Sequence, residues 1–177
     1  SFYQPNVTEA KVATSELLKE WHGNLPELKF GERDGNVEIS AKSLIAELSE
    51  LINQPSEYIA ILAYLDRKED AKLIELRKIL AEKSGKPVTF GWGPRFQHST
   101  GQFHKAGQPN GSFLIITGNV EKDFEIPGRE FTFQTLVMAQ ALGEFRALSA
   151  RNYPVSRLHL HNRALGISEL LATAKAL

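Results

Sequence analysis

The chain contains no cysteine and a single methionine, Met138, among its 177 residues. The absence of cysteine excludes disulfide bonds, thiolate nucleophiles and cysteine-ligated zinc, and it is compatible with a reducing compartment. A chain of this length buries enough apolar surface to fold without such cross-links. Because the sequence begins Ser1-Phe2-Tyr3, we expect residues 1–177 to be one domain of a larger protein.

The chain also lacks an excess of either charge, with 21 basic and 21 acidic residues. Nothing in this balance attracts nucleic acid or anionic lipid. The long apolar runs, such as Tyr58 to Leu65 and Phe113 to Ile116, are too short to span a bilayer. We therefore expect a soluble, cytoplasmic protein that binds neither nucleic acid nor a membrane.

Apolar patterns predict strands that alternate with helices. The continuous run from Tyr58 to Leu65 is typical of a strand buried on both faces. Further strands are predicted over 87–91, 113–117 and 155–161, helices over 8–22, 40–52, 66–83, 133–150 and 163–177, a loop over 31–36 and a turn over 126–128. Right-handed crossovers then give a three-layer, doubly wound α/β domain with a mainly parallel sheet.

Polar side chains and glycines are concentrated in one run, from Gly91 to Gly107. This run has no apolar periodicity, and it includes the histidines His98 and His104. It directly follows a predicted strand, which places it at the carboxyl edge of the sheet, where open α/β sheets bind ligands. We interpret the run as the functional site of the domain.

Five segments, taken in order, resemble one protein family. They are Ala60 to Leu65, Gly91 to Lys105, Pro109-Asn110, Ile126-Pro127-Gly128 and Ala139 to Glu144. The family is the C-terminal part of the glucose-6-phosphate isomerase region in bifunctional transaldolase/phosphoglucose isomerase proteins. The matches span roughly residues 58–160 and are weaker before Glu57. The sequence departs from the family pattern at Ala106 and Gln108, and it has Gly143-Glu144 where the family has Gly-Asp.

The resemblance implies a sugar-isomerase (SIS) type fold in which two α/β halves form one enzyme. This chain would be the second half, and it would interconvert glucose 6-phosphate and fructose 6-phosphate in glycolysis and gluconeogenesis. Its partners would be the sugar phosphate, the N-terminal isomerase half and the transaldolase domain of the parent chain, with a homo-oligomer as a further option. No metal or other cofactor is implied.

Aldose–ketose isomerisation needs an acid/base pair for ring opening, a base for the carbon-bound proton and cations for the phosphate and the enediolate. By resemblance, His104 occupies the ring-opening position, and His98 is the alternative. Lys105 and Arg95 are candidates for neutralising the phosphate or an enediolate oxygen.

The predicted site also contains neutral side chains, but it lacks a carboxylate. Ser99, Thr100 and Gln102 are candidates for binding sugar hydroxyls. From Val88 to Ser112 there is no aspartate or glutamate, so the base for the carbon-bound proton must come from elsewhere. Glu144, Glu130, the other half of the isomerase and a partner subunit are the alternatives.

Other residues have competing interpretations. His159 and His161 share one face of a predicted strand, which suits a metal pair, but no third ligand accompanies them, so packing or a place at the edge of the site is favoured. Trp92 suits either stacking on a sugar or filling the core. For the whole domain, the alternatives to an isomerase are a sugar-phosphate-binding module without catalysis and a domain whose polar run docks onto its partner half.

Overall fold

The computed structural model describes residues 5–29, 31–93 and 110–177. Within these ranges the chain forms six strands, five α-helices and one 3₁₀ turn. In chain order they are α1 (Pro5–Glu20), β1 (Glu32–Asp34), β2 (Val37–Ile39), α2 (Leu44–Ile52), β3 (Tyr58–Ala63), the 3₁₀ turn (Ala71–Ile74), α3 (Glu75–Ser84), β4 (Val88–Trp92), β5 (Gly111–Gly118), α4 (Phe133–Ala150), β6 (Val155–Leu160) and α5 (Arg163–Lys175).

The strands form one sheet in the order β1-β2-β6-β5-β3-β4. Strands β6, β5, β3 and β4 are parallel, whereas β2 runs antiparallel to β6 and β1 runs antiparallel to β2. Helices cover both faces, so the predicted three-layer α/β class with a mainly parallel sheet is confirmed. The strand β3 lies between β4 and β5 and is buried along its whole length, as its continuous apolar sequence predicts.

The prediction of a loop over residues 31–36 is wrong, because this segment contains β1 and leads directly into β2. The two strands form a hairpin in which Asp34 pairs with Val37. The turn between them is tight, and Gly35 adopts a φ of +62°, a backbone conformation that favours glycine. This hairpin makes the sheet mixed, and it breaks the expected alternation of strands and helices.

One face of the sheet packs against α2, α3 and α5. The buried side chains on this face are almost all aliphatic: Ile59 and Ile61 from β3, Leu114 and Ile116 from β5, Leu158 and Leu160 from β6, and Val37 and Ile39 from β2. Leu48 of α2, Leu80 of α3 and Leu170 of α5 pack on them. The hydrophobic effect over this continuous cluster is the main force that holds the three helices to the sheet.

The other face packs against α4, and α1 packs on α4. Ala60 and Leu62 of β3 and Ile115 of β5 lie beneath Ala141 and Leu148 of α4. The two helices approach closely at Gly143, where an added Cβ would lie 2.9 Å from the carbonyl oxygen of Ala10. The glycine is therefore needed for the contact between α1 and α4.

Two predicted helix starts shift in the structure. Ser43 caps α2, since its hydroxyl accepts from the N–H of Ala46, whereas Ser40, where the helix is predicted to begin, donates to the carboxylate of Glu47. The helix predicted over 66–83 begins as turns and a 3₁₀ segment, and α3 starts only at Glu75. No helix within the described ranges is both long and apolar enough to cross a membrane.

Candidate functional site

The order of the parallel strands creates a crevice at the carboxyl ends of β3 and β5. From β3 the chain moves to β4 on one side and then returns to β5 on the other side. At such a switch point the connections from neighbouring strands leave in opposite directions, and open α/β sheets bind ligands there. The residues that follow β3, β5 and β6 are therefore the first place to look for a site.

Asp66 organises the turn that follows β3. Its carboxylate accepts hydrogen bonds from the backbone N–H groups of Lys68 (2.8 Å) and Glu69 (2.9 Å). These two bonds stabilise the ionised form and lower the pKa of Asp66 below its usual value. Asp66 therefore caps this turn and not the first turn of α3, which begins only at Glu75.

Arg163, the first residue of α5, connects the loops that follow β3 and β5. Its guanidinium donates from Nε to Asp70 (3.0 Å), from Nη2 to Glu69 (2.6 Å) and from Nη1 to the carbonyl oxygen of Asn119 (2.9 Å). Burial lowers the pKa of Arg163, the contacts with Asp70 and Glu69 raise it, and the net direction is upward. Gly118 permits this approach, since a Cβ there would lie 3.0 Å from the side chain of Arg163.

A second polar cluster lies at the carboxyl ends of β5 and β6. The Nε2 atom of His159 lies 2.7 Å from Oδ1 of Asn119, and its Nδ1 atom lies 2.7 Å from the hydroxyl of Thr117. His161 donates from Nε2 to the carboxylate of Glu38 (2.8 Å). The two imidazole rings meet edge to face with centroids 5.4 Å apart, so the expectation that they share a face is met.

Burial and the neighbouring His161 lower the pKa of His159 to about 4. Its imidazole is therefore neutral at pH 7. Because the amide of Asn119 donates to the carbonyl oxygen of His161, its Oδ1 atom is left to accept from Nε2 of His159. Both ring nitrogens are thus engaged within the protein. No group of three or more potential metal ligands occurs in the described part of the chain.

The predicted site residues Arg95, His98, Ser99, Thr100, Gln102, His104 and Lys105 lie outside the described residues, as does the rest of segment 94–109. The structure does describe both ends of that segment. The N–H of Gly93 donates to the carbonyl oxygen of Ala63 (2.6 Å), at the carboxyl end of β3. Asn110 lies before β5, and its carbonyl oxygen accepts from the N–H of Glu57 (2.7 Å).

The start of the polar run is strand rather than loop. Gly91 and Trp92 pair with Leu62 and Ala63 in the parallel register of β4 and β3. The indole of Trp92 packs edge to face on Phe90, with ring centroids 4.8 Å apart, and both side chains border the aliphatic cluster. Trp92 therefore fills space at the edge of the core, one of its two predicted roles.

Glu144 and Glu130, the two glutamates considered as carbon bases, lie on α4 and in the loop before it. Glu144 is fully buried in α4, and it lies roughly 15 Å along the helix from Gln134, whose amide binds the carbonyl oxygen of Gly118 at the edge. Glu130 is exposed in the loop before α4, and its backbone lies against Gly23 after α1.

Sequence reasoning missed the Arg163 network and the Asn119 contacts. Their position in the sequence was the signal that could have identified them. Asp66, Asn119 and Arg163 each lie within three residues of the carboxyl end of a parallel strand. Closeness to the carboxyl end of a strand also identifies the polar run after β4.

The fold is similar to that of a hypothetical protein from Thermus thermophilus, with a TM-score of 0.58 and 17% sequence identity. The similarity covers 96% of this chain and 43% of that protein, so this chain spans less than half of its length. No protein-family model and no curated protein matches the chain. At this level of identity the likeness shows the fold alone.

Proposed function

We propose that this chain is the second α/β half of a cytoplasmic phosphoglucose isomerase, which interconverts glucose 6-phosphate and fructose 6-phosphate. The observation that supports the proposal best is the hydrogen bond from Gly93 to Ala63, because the segment with both candidate histidines starts from this point beside the switch point. The sequence resemblance from residue 58 to residue 160 supports the same function. The N-terminal isomerase half and a transaldolase domain would complete the parent protein.

The proposed chemistry begins with ring opening. His104, or alternatively His98, protonates the ring oxygen as the bond between this oxygen and C1 breaks, while the hydroxyl at C1 loses its proton. A base then moves a proton between C2 and C1 through an enediolate. Lys105 and Arg95 offset the negative charge of the phosphate and of the enediolate, and Ser99, Thr100 and Gln102 bind the sugar hydroxyls.

The three carboxylates of the loop that follows β3, those of Asp66, Glu69 and Asp70, have other partners, which bears on the source of the carbon base. Asp70 is 3% exposed, and its two oxygens bind Arg163 and the N–H of Asp66. Glu69 also binds Arg163, and Asp66 accepts two backbone N–H groups. We therefore assign the carbon base to the remaining half of the enzyme or to a partner subunit.

The same observation favours a second candidate function, a module that binds sugar phosphates without catalysis. A site with cations and histidines suffices to bind an anion without a carboxylate that acts as a base. Such a module would use the same polar segment to sense or regulate. The two candidates share the ligand and differ in turnover.

The isomerase proposal is tested by His104→Ala in the complete parent protein. Formation of glucose 6-phosphate from fructose 6-phosphate, measured in a coupled dehydrogenase assay, should fall by about 100-fold or more in kcat, because a positioned acid/base group contributes this much. His98→Ala is measured in parallel, since the larger loss identifies the ring-opening residue. His22→Asn is the matched control, because His22 is exposed in the turn after α1 with a φ of +50° that asparagine tolerates.

Two results would contradict the isomerase assignment. If both histidine variants keep wild-type turnover, neither residue opens the ring. If the wild-type parent protein binds glucose 6-phosphate in calorimetry but does not convert it, the non-catalytic module is the correct assignment.

A further inference from the structure

A groove of about 400 Å³ lies on the α1/α4 side of the sheet, away from the carboxyl edge. Its walls come from the end of α1, the segment that follows it, the second half of α4 and the middle of β6. The lining residues are Leu17, Glu20, Trp21, Leu28, Lys29, Leu142, Phe145, Arg146 and Arg157. This volume is within the range of small-molecule sites.

Positive charge predominates in the groove. The lining has three cations, Arg146, Arg157 and Lys29, and one carboxylate, that of Glu20, which lies 3.9 Å from Arg146. Both members of that ion pair are more than half exposed, so the pair holds Arg146 only weakly. Two guanidinium groups in one groove supply N–H donors that suit an oxyanion such as a phosphate or a carboxylate.

Arg157 is held in a defined position. It projects from β6 and lies over the ring of Phe145, with 4.3 Å from Cζ to the ring centroid. This stacking restricts the side chain before any ligand arrives, which reduces the entropic cost of binding. Burial, together with the positive charge of Arg146, lowers the pKa of Arg157, whereas Glu38 opposes the shift.

The rest of the groove is apolar. Leu17 and Leu142 are buried side chains between α1 and α4, and Leu28 and the indole of Trp21 are partly buried beside them. The flat indole and the leucines offer a surface on which a ring or a short apolar group packs. Cations and an apolar wall thus meet in one concave site.

The groove is separate from the crevice at the carboxyl edge. The N-terminal end of α4 reaches that edge through Gln134, which binds Gly118. Phe145 and Arg146 lie roughly 17 Å further along the same helix. A ligand of ordinary metabolite size in the groove does not touch the residues around Gly93 and Asp66.

We propose that this groove is a second binding site, for a small organic anion in which a phosphate or carboxylate is attached to a ring. Arg146 and Arg157 bind the anionic group, and Trp21 and the neighbouring leucines pack on the ring. The site is independent of the proposed isomerase chemistry, and it offers a place where a phosphorylated metabolite regulates the protein.

The test is calorimetric titration of the intact chain with phenyl phosphate, compared with phenol and with inorganic phosphate. We expect phenyl phosphate to bind more tightly than either fragment alone. Arg146→Gln should weaken its binding about tenfold, since one charge-assisted contact is lost. Glu20→Gln should strengthen its binding, because the competing carboxylate is removed. Both substituted side chains are largely exposed, so these variants should keep the fold, which circular dichroism checks.

One control locates the bound probe. Arg77→Gln removes an exposed cation of α3, on the opposite side of the sheet, and should leave the affinity unchanged. The proposal is overturned if phenyl phosphate does not bind, if phenol binds equally well, if Arg146→Gln has no effect, or if Arg77→Gln weakens binding as much as Arg146→Gln does.

Discussion

The two sides of the sheet differ in how far their apolar surface extends. On the side of α2, α3 and α5, aliphatic residues continue from β3 across β5 and β6 to β2. On the side of α1 and α4, the apolar surface ends at Val155, the first residue of β6. Beyond it, β6 and β2 contribute Arg157, His159 and Glu38. The first side holds the fold together, whereas the second side keeps polar groups in defined positions at some cost in burial energy.

The difference between the two sides is visible within a single strand, because successive residues of β6 point to opposite faces of the sheet. In β6, Leu158 and Leu160 point to the aliphatic side, and Arg157 and His159 alternate with them on the other side. His159 pairs with Thr117 of β5 and with Glu38 of β2. Three neighbouring strands thus form a polar row on one face, while the residues between them complete a core on the other.

The largest effect should follow a truncation on the aliphatic side. Ile61 of β3 is fully buried, and Ile61→Ala should lower the free energy of unfolding by about 4 kcal/mol, because transfer energy is lost and a cavity is left. Urea denaturation followed by circular dichroism measures this change. The matched control is Ile45→Ala in α2, where the isoleucine is 45% exposed, with an expected loss below about 1 kcal/mol. Equal losses at both positions would contradict the assignment of Ile61 to the main core.

The polar groups on the side of α1 and α4 should make the stability of the fold depend on pH. The pKa of His159 is about 4 in the folded protein and 6.5 for an ordinary histidine. Between these values the unfolded chain takes up a proton that the folded chain excludes, so stability falls as the pH falls. If His159 takes up a proton only in the unfolded chain, acidification to pH 4 should lower the free energy of unfolding by about 3 kcal/mol.

The measurement for His159 is urea denaturation from pH 7 to pH 4, for the wild type and for His159→Gln. Glutamine keeps a polar group next to Asn119 but does not titrate, so the variant should lose less stability on acidification than the wild type. Other carboxylates titrate in this range in both proteins, and the difference between the two curves removes their contribution. Parallel curves would show that His159 is not buried as a neutral imidazole.

The sequence predicted those elements in which one local signal dominates. The apolar run at β3 leaves no alternative to a buried strand, and α4 begins and ends at the predicted residues 133 and 150. The hairpin of β1 and β2 escaped prediction because each strand has three residues, too few for a period, and because its turn residues resemble a loop. Ser40 and Ser43 are both suitable helix caps in the sequence. In the structure Ser43 caps α2, because the hydroxyl of Ser40 binds the carboxylate of Glu47 instead.

The candidate site was predictable in location but not in its contacts. The carboxyl edge follows from the alternation of strands and helices, and the polar run after β4 follows from composition. The ion pair of Asp70 with Arg163 joins residues 93 positions apart, and no local pattern brings these two side chains together. The same holds for the row of Thr117, His159 and Glu38, which depends on the antiparallel hairpin that the sequence pattern did not reveal.

The proposal that the carboxyl edge binds a sugar phosphate is tested most directly by hydrogen–deuterium exchange of the proposed parent protein, with and without an equilibrium mixture of glucose 6-phosphate and fructose 6-phosphate. We predict slower exchange in peptides that cover residues 64–70 and 91–107, because a bound ligand shields and orders the backbone after β3 and β4. Peptides from α2 and from residues 142–146 serve as internal controls and should not change. Protection confined to residues 142–146, or no protection at the carboxyl edge at saturating ligand, would contradict the assignment.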